Sequence, residues 1–386
     1  MKVFIWSPLI SEVGTTWTVI NTAKAIKKYS KNKINCFLIN VANEWKNYQK
    51  EISENNLNII DLNSKLNFEK LPKHGFLKSR ITYILIFFFS IIKLHKLLKT
   101  EKPDFIFVHL ITPVPLILLL LFNYKTKFIL RISGFPKLNL LRIGFWKLFN
   151  KKIFKVYSPT NYTKKILVEK KIFKPEKIEV VNEPILDLSL IRRKKNEISS
   201  EVFENKKEYI VSIGRLTKQK NYLFLINAFD KILKKNPNEK LIICGEGEEK
   251  NKLLNQISKL KRNNEIYLIG YKKNIYPILK NAKFFLLTSE WEDPGFVLVE
   301  SMFSNKIVLS SDCKSGPVDL IKDYKNGFLY KKGNLEDFLK KFFEISDLIE
   351  KNQKQISKIK LNAKITSKKF TLFRHFLTLK RCLIEL

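Results

Sequence analysis

Short apolar segments alternate with helix-forming segments in two separate series along this chain of 386 residues. The first series opens with the apolar run Val3–Trp6, a loop that contains Gly14, and the segment Trp17–Tyr29, whose apolar residues recur at helical spacing. The second series opens with the apolar run Tyr209–Ile213 and the helical segment Tyr222–Lys234. Such alternation is typical of parallel sheets with helices packed on their faces. We therefore predict an α/β protein with two doubly wound, Rossmann-like domains.

The alternation lapses between the two series, around the charged run Arg192–Asn196. We predict a first domain at 1–187, a linker at 188–207 and a second domain at 208–365. The last segment, about 366–386, is predicted to be a helix that packs back on the first domain. Ligands of doubly wound sheets bind at the carboxyl ends of the strands, so we expect functional residues in the loops that follow strands.

The charge of the chain favours an anionic partner. The sequence has 72 Lys and Arg residues against 36 Asp and Glu residues, a net charge of +36. Half of this excess lies between Lys70 and Lys171, where lysines are interleaved with the apolar segments Ile81–Ile92 and Phe145-Trp146. Basic residues beside apolar groups suit an anionic membrane surface. The alternative is two ordinary buried helices whose lysines face solvent. A basic chain can also bind nucleic acid, but no recognition motif supports that function, and we expect no nucleic-acid partner.

Several classes of protein are disfavoured by the sequence. Its four cysteines have no paired spacing, which indicates reduced thiols, and its four histidines do not cluster as metal ligands would. The opening apolar segment is too short for a secretory signal. The segment Phe105–Phe122 is long enough to cross a membrane, but it contains His109 and Pro113, and we predict a strand, a loop and a helix there. These features favour a cytoplasmic protein.

The richest motif runs from Thr288 to Glu300, directly after a predicted strand. Proline is favoured at the start of a helix, as at position 294, and Gly295 allows a ligand to approach the backbone. The backbone amides of Gly295, Phe296 and Val297 would then point out of the helix start, where they can bind an anion.

Two carboxylates flank this predicted anion site, Glu292 before the helix and Glu300 within it. Carboxylates beside a bound anion are useful when the ligand also carries hydroxyl groups. An acidic first turn favoured by the helix dipole is the alternative explanation, and it does not require Glu300.

A second motif, Gly214 to Asn221, follows the strand at 209–213. Arg215 and Lys220 bracket this loop and could clamp a diphosphate. A solvated loop is the alternative in a chain this rich in lysine.

Three positions in the first series give weaker signals. Gly14 is a single glycine before a helix, which is not a dinucleotide-binding fingerprint. His109 ends a strand, where it could act as a base, contact a substrate, or be a packed histidine. Arg131 also ends a strand and could contact a phosphate or pair with a neighbouring carboxylate.

Together these motifs resemble family 4 of the retaining glycosyltransferases, whose two Rossmann-like domains face each other across a cleft in the GT-B fold. The resemblance rests on Gly214-Arg215-Leu216 followed by Lys220, and on two glutamates with seven residues between them, Glu292 and Glu300. The segments 291–296 and 311–317 further resemble a bacterial surface-polysaccharide branch. The resemblance is dense over residues 209–330 and diffuse over residues 1–187.

The resemblance implies a role for each site residue. Arg215 and Lys220 would bind the donor diphosphate and stabilise the leaving group, Glu292 would hold the donor sugar, and Glu300 would contact the ribose. Further donor contacts are implied for Gly14, Gly214, Gly245, Tyr271, Gly295, Phe296 and Val297. His109 and Arg131 would lie on the acceptor side.

The reaction implied is transfer of a hexose or N-acetylhexosamine from a nucleotide diphosphate sugar, foremost a UDP-sugar, with retention at the anomeric carbon. No metal ion or other cofactor is expected. The acceptor would be a glycan or a lipid-linked glycan of cell-surface polysaccharide synthesis, such as lipopolysaccharide, met on the inner face of the cytoplasmic membrane by a peripherally bound enzyme. A non-catalytic nucleotide-sugar-binding or nucleic-acid-binding protein remains the alternative.

The sequence departs from the family at two places in the first series. Gly14 is followed by Thr15, where two glycines are frequent, and Arg131-Ile132-Ser133-Gly134 stands where many members have a histidine.

Overall fold

The computed structural model describes residues 1–8, 14–62, 76–136, 138–195, 197 and 209–384, with the backbone alone for 76–80 and 384. These residues form two compact units. The first unit comprises Met1–Pro184 and Leu372–Leu386, and the second comprises Ile185–Thr371.

The first unit is built on a parallel sheet. Its strands are β1 (Lys2–Trp6), β2 (Asn35–Asn40), β3 (Asn58–Asp61), β4 (Phe105–Val108), β5 (Lys127–Arg131), β6 (Lys155–Ser158) and β7 (Ile178–Val180). Its helices before position 185 are α1 (Gly14–Tyr29), α2 (Gln49–Glu54), α3 (Phe76–Glu101), α4 (Pro113–Leu121), α5 (Leu140–Phe149) and α6 (Asn161–Glu169), with 3-10 turns at Lys46–Tyr48 and Pro175–Lys177. The strand order is β3-β2-β1-β4-β5-β6-β7, which is a doubly wound arrangement.

Alternate residues of β1 enter two different cores, because successive side chains of a strand point to opposite faces of the sheet. Phe4 and Trp6 pack in a core that also contains buried residues of α3, α4 and α5. Val3 and Ile5 pack on the other face with apolar residues of α1 such as Ile26. Helices therefore cover both faces of the sheet, as the sequence predicts.

The second unit repeats this architecture. Its strands are β8 (Tyr209–Ile213), β9 (Leu241–Cys244), β10 (Ile266–Leu268), β11 (Ala282–Leu287), β12 (Ile307–Ser311) and β13 (Phe328–Tyr330). Its helices are α7 (Leu188–Lys195), α8 (Tyr222–Lys235), α9 (Lys250–Lys259), α10 (Tyr276–Asn281), α11 (Phe296–Phe303), α12 (Gly316–Leu320), α13 (Leu335–Lys351) and α14 (Gln353–Ser367), with 3-10 turns at Lys218–Lys220 and Lys368–Phe370. The parallel sheet has the order β10-β9-β8-β11-β12-β13.

Helix α15 (Leu372–Ile384) packs in the first unit, although it follows the second unit in the chain. Its buried residues Leu372, Phe376 and Leu379 join the core that contains α1. Its His375 is also buried, and the two ring nitrogens lie 3.0 Å from Thr22 Oγ1 and 2.8 Å from the carbonyl oxygen of Asn182. The last helix is therefore an integral part of the first unit.

The structure has a helix, α7, in the first part of the segment predicted to be a linker at 188–207. The side chain of Asp187 accepts hydrogen bonds from the backbone N–H groups of Ser189 and Leu190, at 3.1 and 3.3 Å, and Ile191 is buried. The basic run 192–195 forms the last turn of α7, where positive charge is favoured by the helix dipole. Residues 198–208 lie outside the described residues.

The segment Phe105–Phe122 forms a strand, a loop and a helix, as predicted, because β4 ends at Val108 and α4 begins at Pro113. Helix α3 extends beyond the apolar run Ile81–Ile92 at both ends. The segment Ile81–Glu101 of this helix is long and apolar enough to cross a membrane, although the core helix of a soluble protein can be equally long and apolar. Only 28% of the apolar stretch is buried within the structure.

Candidate active site

Lys220 and Glu292 form a buried ion pair at the carboxyl ends of β8 and β11. Lys220 Nζ contacts Glu292 Oε1, and only 13% and 7% of the two side chains are exposed. The same oxygen accepts a hydrogen bond of 2.6 Å from Ser289 Oγ. The structure thus brings together two residues from motifs 72 positions apart, and it fixes the carboxylate from two sides.

The loop that carries Lys220 is fixed to the end of β11. Thr288 Oγ1 donates a hydrogen bond of 2.9 Å to the carbonyl oxygen of Lys220, and Asn221 Nδ2 donates one of 2.7 Å to Glu290 Oε1. Asn221 has a left-handed backbone (φ +51°), a conformation that asparagine tolerates better than most residues. These contacts hold the Lys220 ammonium in one place before any ligand binds.

Arg215 lies at the other end of this loop and is exposed. Within the described parts of the chain its side chain forms no ion pair. Its guanidinium can therefore pair with an incoming anion without first breaking an internal contact.

Gly214 and Gly245 lie where adjacent strands end in close contact. The Gly214 N–H donates 2.9 Å to the carbonyl oxygen of Cys244, and a Cβ on Gly245 would lie 1.9 Å from the Gly214 oxygen. A Cβ on Gly214 would lie 2.8 Å from Lys220 Cε. Glycine is therefore needed at 245 for strand packing and at 214 to leave space for the Lys220 side chain.

Helix α11 begins beside the ion pair. Gly295 precedes it with φ +91°, a conformation that favours glycine. The first intrahelical bond runs from the Val299 N–H to the Gly295 carbonyl oxygen, at 3.3 Å, so the amides of Phe296 and Val297 precede the intrahelical ladder. Glu292 lies near this helix start, since a Cβ on Gly295 would be 3.6 Å from the Cβ of Glu292.

Glu300 lies in the second turn of α11 and has partners that the sequence did not indicate. Burial raises the pKa of its carboxyl to about 7, while the nearby Lys194 and a hydrogen bond from Tyr276 act in the opposite direction on that pKa. Tyr276 begins α10 and Lys194 lies in α7. Glu300 therefore titrates close to neutrality and sits between a phenol and an ammonium group.

Tyr271 follows the end of β10, and 72% of its side chain is exposed. Its neighbour Gly270 has φ +74° and accepts the Gly245 N–H at 2.9 Å. Tyr271 is therefore anchored by its backbone while its ring is available to a ligand.

In the first unit, His109 follows β4 and is 6% exposed. Its Nδ1 lies 3.3 Å from Ser133 Oγ, and its Nε2 is buried with no hydrogen-bond partner among the described residues. Burial and the nearby charge of Arg131 hold the pKa of the imidazole well below its usual range, so the ring is neutral near pH 7.

Arg131 is paired with a carboxylate, the second of the two alternatives drawn from the sequence. Its guanidinium lies 2.7 Å from Glu183 Oε1 and donates 2.8 Å to the carbonyl oxygen of Val181. Both charged side chains are almost fully buried. Arg131 therefore joins the ends of β5 and β7, and it also forms part of the wall of a cavity in the first unit.

Gly14, the remaining predicted donor residue, is exposed and is the first residue of α1. Residues 9–13 of its loop are outside the described ranges.

A cavity of about 960 Å³ lies in the first unit. Its wall includes His109 and Ser133 on the sheet side and Tyr83, Phe145 and Trp146 on the helix side. We refer to it as the first-unit cavity.

Comparison with known proteins relates the chain to glycosyltransferases. Residues 193–364 match the family model described as glycosyl transferases group 1. This part of the chain is similar to that family. The resemblance inferred from the motifs is thus confirmed, and it includes the Arg215, Lys220, Glu292 and Glu300 positions within the matched range.

The similar curated proteins are glycosyltransferases. The chain is 32% identical over 246 residues to an uncharacterized glycosyltransferase of Methanocaldococcus jannaschii, covering 59% of this chain and 60% of that protein. It is 29% identical over 255 residues to the N-acetylgalactosamine-N,N'-diacetylbacillosaminyl-diphospho-undecaprenol 4-alpha-N-acetylgalactosaminyltransferase of Campylobacter jejuni, covering 64% and 68%.

Solved structures show the fold. Anabaena HepE in complex with UDP superposes with a TM-score of 0.75 at 16% identity over the whole of both chains. A glycosyltransferase from Rickettsia africae superposes with a TM-score of 0.75 at 18% identity, over 100% of this chain and 97% of that one. The predicted fold of two Rossmann-like domains of the GT-B type is confirmed.

Proposed function

We propose that this glycosyltransferase moves a hexose or N-acetylhexosamine from a UDP-sugar to a glycan or lipid-linked acceptor, with retention at the anomeric carbon and without a metal ion. The observation that carries the proposal is the buried Lys220–Glu292 pair beside the start of α11. It supplies a fixed cation and a fixed carboxylate where backbone amides can bind an anion.

The charges of this site suit departure of a nucleotide diphosphate. Negative charge grows on the leaving phosphate as the bond to the sugar breaks, and groups already oriented toward that charge lower the barrier. Lys220 and the exposed Arg215 are cations, and the amides of Phe296 and Val297 add the positive end of a helix dipole. These groups can do the work that a divalent cation does in metal-dependent transferases.

The two glutamates suit the neutral parts of the donor. The Glu292 carboxylate, held by Lys220 and Ser289, can accept hydrogen bonds from sugar hydroxyl groups through its second oxygen. Glu300, supported by Tyr276 and Lys194, can accept from a ribose diol.

The relatives support a uridine nucleotide and a lipid-linked acceptor. Anabaena HepE has been crystallised with UDP-glucose, and relatives from Campylobacter jejuni and Escherichia coli are named for diphosphoundecaprenol-linked acceptors. We extend both features to this chain, in the synthesis of a cell-surface polysaccharide.

We further propose that the protein works as a peripheral enzyme on the anionic, cytoplasmic surface of the membrane. Ile81, Ile84, Phe88 and Ile92 repeat at helical spacing along α3 and are 54%, 55%, 67% and 76% exposed; we call them the α3 apolar face. Exposed apolar stripes next to basic residues favour anionic lipid. The alternative of two ordinary buried helices does not account for this exposure.

The donor site is tested by thermal unfolding with UDP, GDP and their sugars, with and without a chelator. A ligand that binds only the folded protein raises its unfolding temperature. We expect a shift with UDP or a UDP-sugar, unchanged by chelator and strongly reduced in Glu300→Ala. The absence of a shift with any nucleotide in folded protein would rule out the donor site, whereas UDP binding with no transfer to any acceptor would favour a non-catalytic binding protein.

Retention is tested by the anomeric configuration of the product in nuclear magnetic resonance spectra.

The membrane surface is tested by sedimentation with vesicles. We expect binding to vesicles that contain phosphatidylglycerol, loss of binding in Phe88→Glu, and weaker binding at high salt. Leu361→Glu is the matched control, because Leu361 is a 59% exposed apolar residue of a second-unit helix. Equal binding of the two variants would contradict the assignment of the α3 apolar face.

A further inference from the structure

The first-unit cavity has an apolar wall made by two helices. Tyr83 of α3 and Leu141, Phe145 and Trp146 of α5 line it. On α5 these positions follow helical spacing, so one face of the helix is turned to the cavity. A cavity of about 960 Å³ is at the large end of the range for small-molecule sites, and most such sites are apolar with a few polar groups.

The mouth of the cavity continues into exposed apolar surface. Leu141 and Tyr83 both line the cavity, yet they are 84% and 44% exposed. Tyr83 is adjacent in sequence to Ile84 of the α3 apolar face, and Leu141 is adjacent to Leu140, which is 87% exposed. The cavity mouth therefore carries exposed apolar side chains from both α3 and α5, through which a hydrocarbon chain can enter.

Polar side chains in the cavity wall can bind a polar group of the ligand. His109 Nε2 is buried and has no partner in the described chain, so a hydroxyl or phosphate group of a ligand would satisfy it. Arg142 also lines the cavity, and its guanidinium carbon lies 5.9 Å from the centre of the Trp146 ring. A guanidinium placed over an aromatic ring is well suited to phosphate recognition.

We propose that the first-unit cavity binds the hydrocarbon chain of a lipid-diphosphate-linked acceptor, with Arg142 contacting the diphosphate. This inference rests on the proposed function, because the ligand is the acceptor of the transfer reaction. A purely carbohydrate acceptor would leave the apolar wall formed by α3 and α5 without a role.

The test is calorimetric titration of the full chain with farnesyl diphosphate, with saturating UDP present so that the donor site is occupied. Methyl diphosphate, which lacks the chain, is the comparison ligand. We expect saturable binding of farnesyl diphosphate and binding of methyl diphosphate at least tenfold weaker. Arg142→Gln should weaken binding of farnesyl diphosphate and leave binding of farnesol unchanged.

Two neighbouring leucines provide a matched pair of variants. Leu140 and Leu141 are similarly exposed, but only Leu141 is part of the cavity wall. Leu141→Gln should bind farnesyl diphosphate about tenfold more weakly, because an apolar contact is replaced by an amide that must lose water, while Leu140→Gln should bind like the parent protein. Both positions are at the surface, so both variants should fold.

Three results would overturn the inference. Equal effects of the two glutamine variants would place the chain elsewhere, and equal affinity for methyl diphosphate would reduce the cavity to a phosphate site. Failure to bind farnesyl diphosphate in protein that UDP still stabilises would favour a glycan acceptor and leave the proposed function intact. Failure of UDP to stabilise the protein would instead contradict the proposed function itself.

Discussion

The ion pair between Lys220 and Glu292 should couple strongly in a double-mutant cycle. Both side chains are nearly buried, at 13% and 7% exposure, so removal of either partner leaves a charge without its counterion in a dry site. Such losses cost about 3–5 kcal/mol each. We expect Lys220→Met and Glu292→Gln to destabilise the second unit by about this amount. The double variant should lose less than the sum, with a coupling energy of about 2–3 kcal/mol.

Differential scanning calorimetry measures this cycle, and the transition that UDP shifts identifies the second unit. For a unit of this size, about 3 kcal/mol corresponds to a fall of about 6–12 °C in unfolding temperature. The exposed pair Lys165–Glu169, with 70% and 53% exposure, is the control, and it should couple by no more than about 0.5 kcal/mol. Additive effects of the two substitutions would refute the reasoning, because they would mean that Lys220 and Glu292 do not interact in the protein without ligand. The ion pair would then form only when the donor binds.

Three other perturbations follow from the geometry. Gly245→Ala should destabilise the second unit by about 1–3 kcal/mol or more and abolish UDP binding, because the new Cβ would lie 1.9 Å from a carbonyl oxygen. The control is Gly144→Ala on α5, where nothing lies within 4 Å of the new Cβ, and it should stabilise the first unit by up to about 1 kcal/mol. Urea unfolding measures both changes in stability. The affinity for a UDP-sugar, whose diphosphate does not titrate near neutrality, should fall as the pH drops below about 7, because protonation of Glu300 removes a hydrogen-bond acceptor. Titrations across this range should show no such step in Glu300→Gln. Arg131→Met should destabilise the first unit by about 3–5 kcal/mol, because it leaves the buried Glu183 carboxylate unpaired. Adding Glu183→Leu removes that carboxylate as well and should restore much of the lost stability in thermal unfolding. If the second substitution restores no stability, Arg131 stabilises the unit through something other than this pair.

The fold could be predicted from the sequence where strands are central and apolar. The segment Tyr209–Ile213, apolar except for Ser212, predicts β8, which pairs on both sides within its sheet. Two of the edge strands, β3 and β13, were missed because they are short. β3 has the sequence Asn-Ile-Ile-Asp and β13 has only three residues, so neither shows a recognisable period. Each pairs on one side alone, with the strand that precedes it in the chain.

The site could be predicted only as far as its residues stand in motifs. Lys220 and Glu292 belong to two recognisable segments, and the structure brings them into contact. Ser289 lies inside the second motif, but nothing in its spacing shows that its hydroxyl reaches the Glu292 carboxylate. Lys194 and Tyr276 were missed as neighbours of Glu300 because contacts between α7, α10 and α11 are set by packing. Lys194 was further hidden by the assumption that a charged run must be a linker.

The placement of α15 affects the order in which this chain can fold during synthesis. The core that contains Val19 and Ile26 is closed by residues after Thr371, so the ribosome must first translate all of Ile185–Thr371. At a typical rate of translation this delay lasts about 10–40 s. Throughout it, the part of this core that α15 covers is exposed, and the second unit can already be complete. The second unit is thus expected to complete its folding before the first unit, and the unfinished first unit is the part of the chain that a chaperone would bind.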